Sequence, residues 1–266
     1  MRGGSISPHL TTLAGPGDKA LGDGGGGLRS QGVLEVSEVL FEGNAAPGDG
    51  GGLLIESGSA TIRRSLFAGN QAHTQTGAAG GAIAIGTSAG SVTIEQSTLS
   101  ANTSDAAEGG ALSFAGSAAA VLSYVTITDN SSGLSRTGTG TLTIDSSIVT
   151  GNGSLDCSEG IDSGDYSVFG ANGDASGCPT GAFDAVPSGD SGTVIDPLAD
   201  NGGPTDTHPV FHGSPAIGLV PALENGCGLT ATLDQRGEAR SPGDPCEAGA
   251  YDGDSVPVEL MQFSIE

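Results

Sequence analysis

An eleven-residue pattern ending in asparagine recurs five times within the first 152 residues, and it constrains the fold more than any other feature. The copies occupy residues 34–44, 60–70, 92–102, 120–130 and 142–152, and they align without a gap. Eight residues before each asparagine stands an aliphatic side chain: Val36, Ile62, Ile94, Leu122 or Ile144. Three before it stands a large apolar one: Phe41, Phe67, Leu99, Ile127 or Val149. Inside each copy apolar and polar positions alternate, which is the period of a strand and not of a helix. Two short strands joined by a bend bring both apolar columns to one interior. The small or β-branched residues between them, Val39, Ser65, Ser97, Val125 and Ser147, suit the corner.

The five asparagines, Asn44, Asn70, Asn102, Asn130 and Asn152, are separated by 26, 32, 28 and 22 residues. An interval that varies around a fixed motif marks stacked coils, because insertions leave at the turns without disturbing the strands. A glycine-led element follows several copies, at residues 50–55, 80–85 and 109–114, and reads as another strand of each coil. Residues 24–29 open an earlier, partial coil on the same pattern. Forty-eight glycines, together with the alternation, exclude a helical solenoid. Parallel coils lie about 4.8 Å apart, so side-chain amides at equivalent corners can bond one to the next. A structural ladder, not an active site, is therefore expected of the asparagines.

Thirty-one carboxylates face eight lysines and arginines, a formal charge of −23. A field of that sign repels nucleic acid and anionic membrane surfaces. It leaves cations, cationic surfaces and neutral glycans open, and it equally serves solubility. Cys157, Cys178, Cys227 and Cys246 form no metal-ligand spacing, and an even count in an acidic, glycine-rich chain favours two disulfides and an oxidising compartment. Order along the chain suggests Cys157 with Cys178 and Cys227 with Cys246, among three formal pairings. No stretch approaches membrane-spanning length, so no membrane insertion is expected. Residues 1–13 lack an export signal's architecture, and the expectation is a removed signal or a fragment cut from a longer repeat array.

The Gly-Gly-Ala-Ile of residues 80–83 and the Phe-x-x-Asn of Phe41 to Asn44 and Phe67 to Asn70 resemble the repeats of polymorphic outer membrane proteins and related pectin-lyase-like β-helices. After Asn152 a second resemblance appears. Asp156-Cys-Ser, Tyr166-Ser-Val-Phe-Gly, the run from Asp196 through Asn201-Gly-Gly-Pro to His208, Gly213-Ser-Pro-Ala-Ile, Asp234-Gln-Arg-Gly and Ala248-Gly-Ala-Tyr-Asp are similar to the tail of bacterial choice-of-anchor Q proteins. Gly218-Leu219 and Glu238-Ala239 depart from that pattern. The resemblance implies an all-β fold, a right-handed single-stranded parallel β-helix of the pectin-lyase-like type. It also implies an exported bacterial protein attached to the cell envelope by a further C-terminal signal, and no reaction.

The expected organisation is a partial coil or fragment edge at 1–23, regular coils at 24–153, irregular coils with disulfides and an end cover at 154–252, and a tail or linker at 253–266. The cover is expected to continue the coil and shield its last strands from end-to-end pairing.

Pectin-lyase-like folds also host polysaccharide lyases and glycoside hydrolases. The outward column seven residues before each asparagine holds Ser37, Arg63, Glu95, Ser123 and Asp145, so Arg63, Glu95 and Asp145 are the catalytic candidates under that alternative. A cross-strand ion pair explains Arg63 with Glu95 as well. Outward Thr61, Thr93 and Thr143 would suit an ice or mineral surface, but Glu35 and Val121 interrupt that column. His208 and His212 straddle Pro209, which argues against a helical metal site and for turn or surface roles. No cofactor is expected. Calcium is the one cation left open, by the Asp and Asn oxygens at 156–165, 196–206 and 252–254. The reading that results is a non-catalytic extracellular or envelope module presenting loops to a glycan or a host or cell surface.

Overall fold

The computed structural model describes residues 5–8, 24–73, 77–106, 109–158 and 160–253. The expected N-terminal edge at 1–23, apart from the strand Ser5–Pro8, and the expected tail beyond Gly253 lie outside the described residues.

The chain winds as a parallel β-helix with three sheets. The long sheet contains Leu53–Arg63 and Ile83–Glu95 as continuous strands. In the other coils the same path is broken in two: Leu28–Ser30 and Leu34–Ser37, Leu112–Phe114 and Ala120–Ser123, Leu134–Arg136 and Leu142–Asp145. The second sheet stacks Val39–Glu42, Leu66–Ala68, Thr98–Ser100, Thr126–Thr128, Ile148–Val149 and Val168–Phe169 in parallel, with Ser5–Pro8 antiparallel on its edge. A short third sheet joins Ala45–Ala46, Gln71–Ala72 and Thr103–Ser104.

Register follows the sequence alignment residue by residue. Val36, Ile62, Ile94, Leu122 and Ile144 pair in order along the long sheet, and Phe41, Phe67, Leu99, Ile127 and Val149 along the second. Every one of these side chains is at most 1% exposed, and together they line one continuous core. The Phe41 and Phe67 rings stack at 4.4 Å.

The bend between the first and second sheets is made by a residue the pattern did not mark. Glu38, Arg64, Gln96, Tyr124 and Ser146 all adopt positive φ, between 42° and 59°. A side chain there costs about 1–2 kcal/mol, so each coil must hold the bend by other means. The corner residue that follows supplies one: Val39 N–H donates to Ser65 Oγ at 3.1 Å, Ser65 N–H to Ser97 Oγ at 3.1 Å, and Val125 N–H to Ser147 Oγ at 3.1 Å. Each of these serines also donates back across the bend, to the carbonyls of Arg63, Glu95 and Asp145. Glycine is required where the glycine-led element turns: Gly50 and Gly80 sit at φ of 72° and 70°. A Cβ on Gly51 or Gly81 would collide with backbone of neighbouring coils.

The coil continues past residue 153. Cys157 bridges to Leu134, Asp162–Ser163 extends the long sheet, Val168–Phe169 extends the second, and Ala185 bridges to Val168. Two disulfides join Cys157 to Cys178 and Cys227 to Cys246. Ala175 and Cys178 pack against the core, and from Ser191 onward the chain turns back and lies as a strap across the outer face of the second sheet. Ile148 and Val168 on that face pack against Val194, Ile195, Ala216 and Ala248 of the strap, and Tyr124 packs against Val220, Ala231 and the Cys227–Cys246 pair. That face is hydroxyl-rich and apolar, not charged, so it can be covered. Thr98, Ser100, Thr126 and Thr128 point outward and are nonetheless buried. No helix among the described residues is long and apolar enough to cross a membrane.

Candidate functional site

The asparagines stand one above another inside the corner. Asn44 donates its backbone N–H and its Nδ2 to Asn70 Oδ1, at 3.0 and 2.9 Å. Asn70 does the same to Asn102, Asn102 to Asn130 and Asn130 to Asn152, all within 3.2 Å. The Nδ2 groups of Asn70, Asn102, Asn130 and Asn152 also reach the carbonyl of the apolar residue one coil back: Phe41, Phe67, Leu99 and Ile127 respectively. A polar side chain buried in a hydrophobic shaft is thereby satisfied by its equivalents. The ladder terminates on Asp156, whose Oδ1 accepts from Asn152 N–H and Nδ2 at 2.9 and 2.7 Å. Burial pushes the Asp156 carboxyl above its ordinary pKa although the Asn152 donors pull the other way. Asn44, Asn70, Asn102 and Asn130 are buried, and Asn152 is half-buried.

The outward column of the long sheet is in the expected register: Ser37 beside Arg63, Arg63 beside Glu95, Glu95 beside Ser123, Ser123 beside Asp145. Arg63 Nε donates to Glu95 Oε2 at 2.7 Å, so the column's one guanidinium is engaged. Asp145 lies two coils beyond Glu95, about 9.6 Å by strand spacing. Its carboxyl is pushed up to about 7 by burial and then by the Glu95 charge. The column brings the candidates into line and pairs two of them, but aims no second carboxylate at Arg63. Thr61, Thr93 and Thr143 form the neighbouring outward column with Glu35 and Val121 in register between and beside them.

The remaining cations are similarly committed. Arg29 holds Glu56 through two bonds, Arg64 pairs with Glu38, and Arg136 donates to the Gly160 carbonyl. Arg236 and Arg240 are tied into the strap. Every arginine among the described residues therefore has an acidic or carbonyl partner, while carboxylates such as Glu35, Glu42, Asp49 and Asp129 face solvent.

The strap's sequence motifs converge on one buried polar cluster. Asp234, fully buried, accepts from the backbone of Arg236, Glu238 and Asp252 and from Arg236 Nε at 2.8 Å. Arg240, 1% exposed, donates to the carbonyls of Glu247 and Gly249 and to Asp252 Oδ1 at 2.8 Å, with its guanidinium 4.2 Å above the Tyr124 ring. Burial pushes Glu247 up to about 7 and Tyr124 up to about 12. Three bonds stitch this cluster to the coils. Thr98 donates to Gln235 Oε1 at 2.7 Å, Ala250 N–H to Thr126 Oγ1 at 3.0 Å, and Gly249 N–H to the Ser146 carbonyl at 2.8 Å.

His208 corrects the expected turn or surface role. It is 2% exposed, wedged between strap and second sheet. Its Nδ1 donates to the Asp196 carbonyl at 2.8 Å, which leaves Nε2 to accept from Ser100 Oγ at 3.0 Å, and burial depresses its pKa. His212 remains exposed. On the third sheet His73 Nδ1 lies 2.9 Å from Asp105 Oδ1 as a half-exposed pair between coils.

The acidic runs that left calcium open serve as turn acceptors where they are described. Asp156 Oδ1 accepts from Asn152 N–H, Asp200 Oδ1 from Gly202 N–H, and Asp252 Oδ1 from Glu247 N–H. Among the described residues no three acidic, histidine or cysteine side chains group as a cation site, and Asp254 lies outside them.

One groove opens where the strap meets the first two coils of the second sheet. It encloses about 310 Å³ between Leu40, Glu42, Leu66 and Ala68 on the sheet and Leu198, Asp200 and residues 203–206 on the strap.

Residues 25–175, more than half of the chain, match the family described as the right-handed β-helix region. The chain belongs to that family. The right-handed β-helix assignment covers the asparagine ladder, the outward column and Cys157, and stops before Cys178 and the strap. No curated protein and no solved structure matches this β-helix.

Proposed function

We propose that this β-helix is a non-catalytic module of the bacterial cell envelope or extracellular space, adhesin-like or structural, presenting its loops and strand faces to an extracellular glycan or a host or cell surface. The observation that carries the reading is electrostatic. The described guanidinium groups are all engaged, so among the described residues the surface offers a partner carboxylates, hydroxyls and backbone, but no spare guanidinium with which to grip or deprotonate an anionic polymer. A uronic-acid chain would approach a field of its own sign. The only guanidinium in the outward column is held by Glu95. Two disulfides are chemistry that persists in oxidising compartments. The likeness of the C-terminal motifs to choice-of-anchor Q proteins supports export and attachment, and that of the repeats to polymorphic outer membrane proteins supports display.

The test has two arms. Polygalacturonate incubated with the purified chain should release no unsaturated uronide and no new reducing ends, with or without Arg63→Ala. Turnover that depends on Arg63 would overturn the proposal. In the second arm the labelled chain should bind saturably to a glycan array or to intact cells; a flat response across both surfaces would also sink it.

A further inference from the structure

We infer that the groove between the strap and the first two coils is a recognition site for a basic protein segment, taking the side chain of a lysine or arginine together with an aliphatic neighbour. The inference rests on the binding-module reading and names the chemistry of one partner.

The groove is built in two tiers. Its floor is apolar: Leu40 and Leu66 on adjacent strands, Ala68 beside them, and Leu198 and Pro204 from the strap, of which Leu66 is buried and the others half-buried apart from their neighbours' cover. Its rim is anionic: Glu42 on the sheet side, Asp200 and Asp206 on the strap side, all exposed. No cation lines it. A volume of about 310 Å³ is at the small end of ligand sites, enough for one or two side chains. A lysine or arginine matches both tiers, because its methylene stem lies on apolar surface while its charged head reaches the rim.

The strap wall is held in place beforehand. Gln235 Nε2 donates to Thr205 Oγ1 at 2.9 Å and to the Asp206 carbonyl at 3.0 Å, and Gly203 sits against the Arg236 backbone. One coil further on, the same outward face carries Thr98 and Ser100 and is closed by Gln235 and His208.

A fluorescein-labelled hexapeptide alternating leucine with lysine, titrated into the full chain and followed by anisotropy, tests this. Saturable binding is expected, weakened by about tenfold in Glu42→Lys/Asp206→Lys, with two exposed carboxylates reversed, and weakened further by salt. Ala68→Trp, which fills the floor without touching charge, should weaken it as well, and an unchanged thermal midpoint shows that either variant is folded. The assignment falls if the peptide does not saturate, if a leucine–glutamate peptide binds as tightly, if the variants bind normally, or if spermidine competes on equal terms, since the site then reads charge alone. Glycan or cell binding by the same variants separates the two claims. Its retention while the peptide fails removes the groove and leaves the module, whereas uronide release removes the module reading whatever the peptide does.

Discussion

The coils and the strap solve the same problem, burying polar groups, by opposite means. In the coils the buried polar groups are neutral amides and hydroxyls, and each bonds its own equivalent one coil away. Asn44 meets Asn70, and Ser65 meets Ser97. In the strap they are charged and unlike, and each pairing is unique: Arg240 with Asp252, Asp234 with Arg236. The coil bonds span 22 to 32 residues of chain, whereas side-chain bonds that seat the strap, from Ser100, Thr126 and Thr98, span 108, 124 and 137. Repetition makes a coil's defect local, because the neighbouring rungs still pair. A charge network has no spare copy, so loss of one member leaves another charge buried without compensation.

That contrast can be broken most sharply at Arg240. Arg240→Met strips the guanidinium from Asp252 and from two carbonyls, and should cost about 3–5 kcal/mol. Limited proteolysis should then cut within 194–252 while the far-ultraviolet β signal of the coils persists. Loss of both together would mean that strap and coils are one cooperative unit. A smaller loss is expected inside the ladder. Asn102→Ala orphans the Asn70 amide donors and the Phe67 carbonyl and should cost about 2–3 kcal/mol by urea denaturation. If the two regions are separate, the double variant should be additive within about 0.5 kcal/mol.

The smallest effect sharpens the comparison through pH. Glu247 of the strap, ordinarily near 4.5, and Asp145 of the long sheet, ordinarily near 3.8, are each raised to about 7, mainly by burial. The folded state therefore holds these protons where the unfolded chain has lost them. Their contribution is complete below the ordinary values and is lost as pH rises through about 7. The thermal midpoint should fall between pH 5 and pH 8, and Glu247→Gln should flatten that fall by a few degrees, at about 2–4 °C per kcal/mol for a chain of this size. An unchanged slope in Glu247→Gln would show that its carboxyl is not desolvated and that the strap is looser than drawn.

How much of this was written in the residues can be judged position by position. The two apolar columns and the register of all five copies were legible, since a strand shifted by one residue would turn Val36 or Phe41 to solvent. So was the line from Arg63 through Glu95 to Asp145. The bends were not, because Glu38, Arg64, Gln96, Tyr124 and Ser146 share no residue type that announces positive φ. The serine corner was read as small and not as bonded. The groove was invisible, for Leu40 and Leu66 look in the sequence like any other strand residues.

The sequence by itself determined the winding, the core, the amide column and the sign of the surface charge. It could do so because every coil contact joins residues at the same place in a repeat, so the pattern that makes a strand also names its partner. Only the tertiary structure decided where the strap lies, that His208 is buried, and which carboxylates face a groove. Those follow from pairings such as Thr98 with Gln235, which occur once. A contact without a repeat leaves no periodic trace, and its location depends on which exposed face is apolar and hydroxylated enough to be covered.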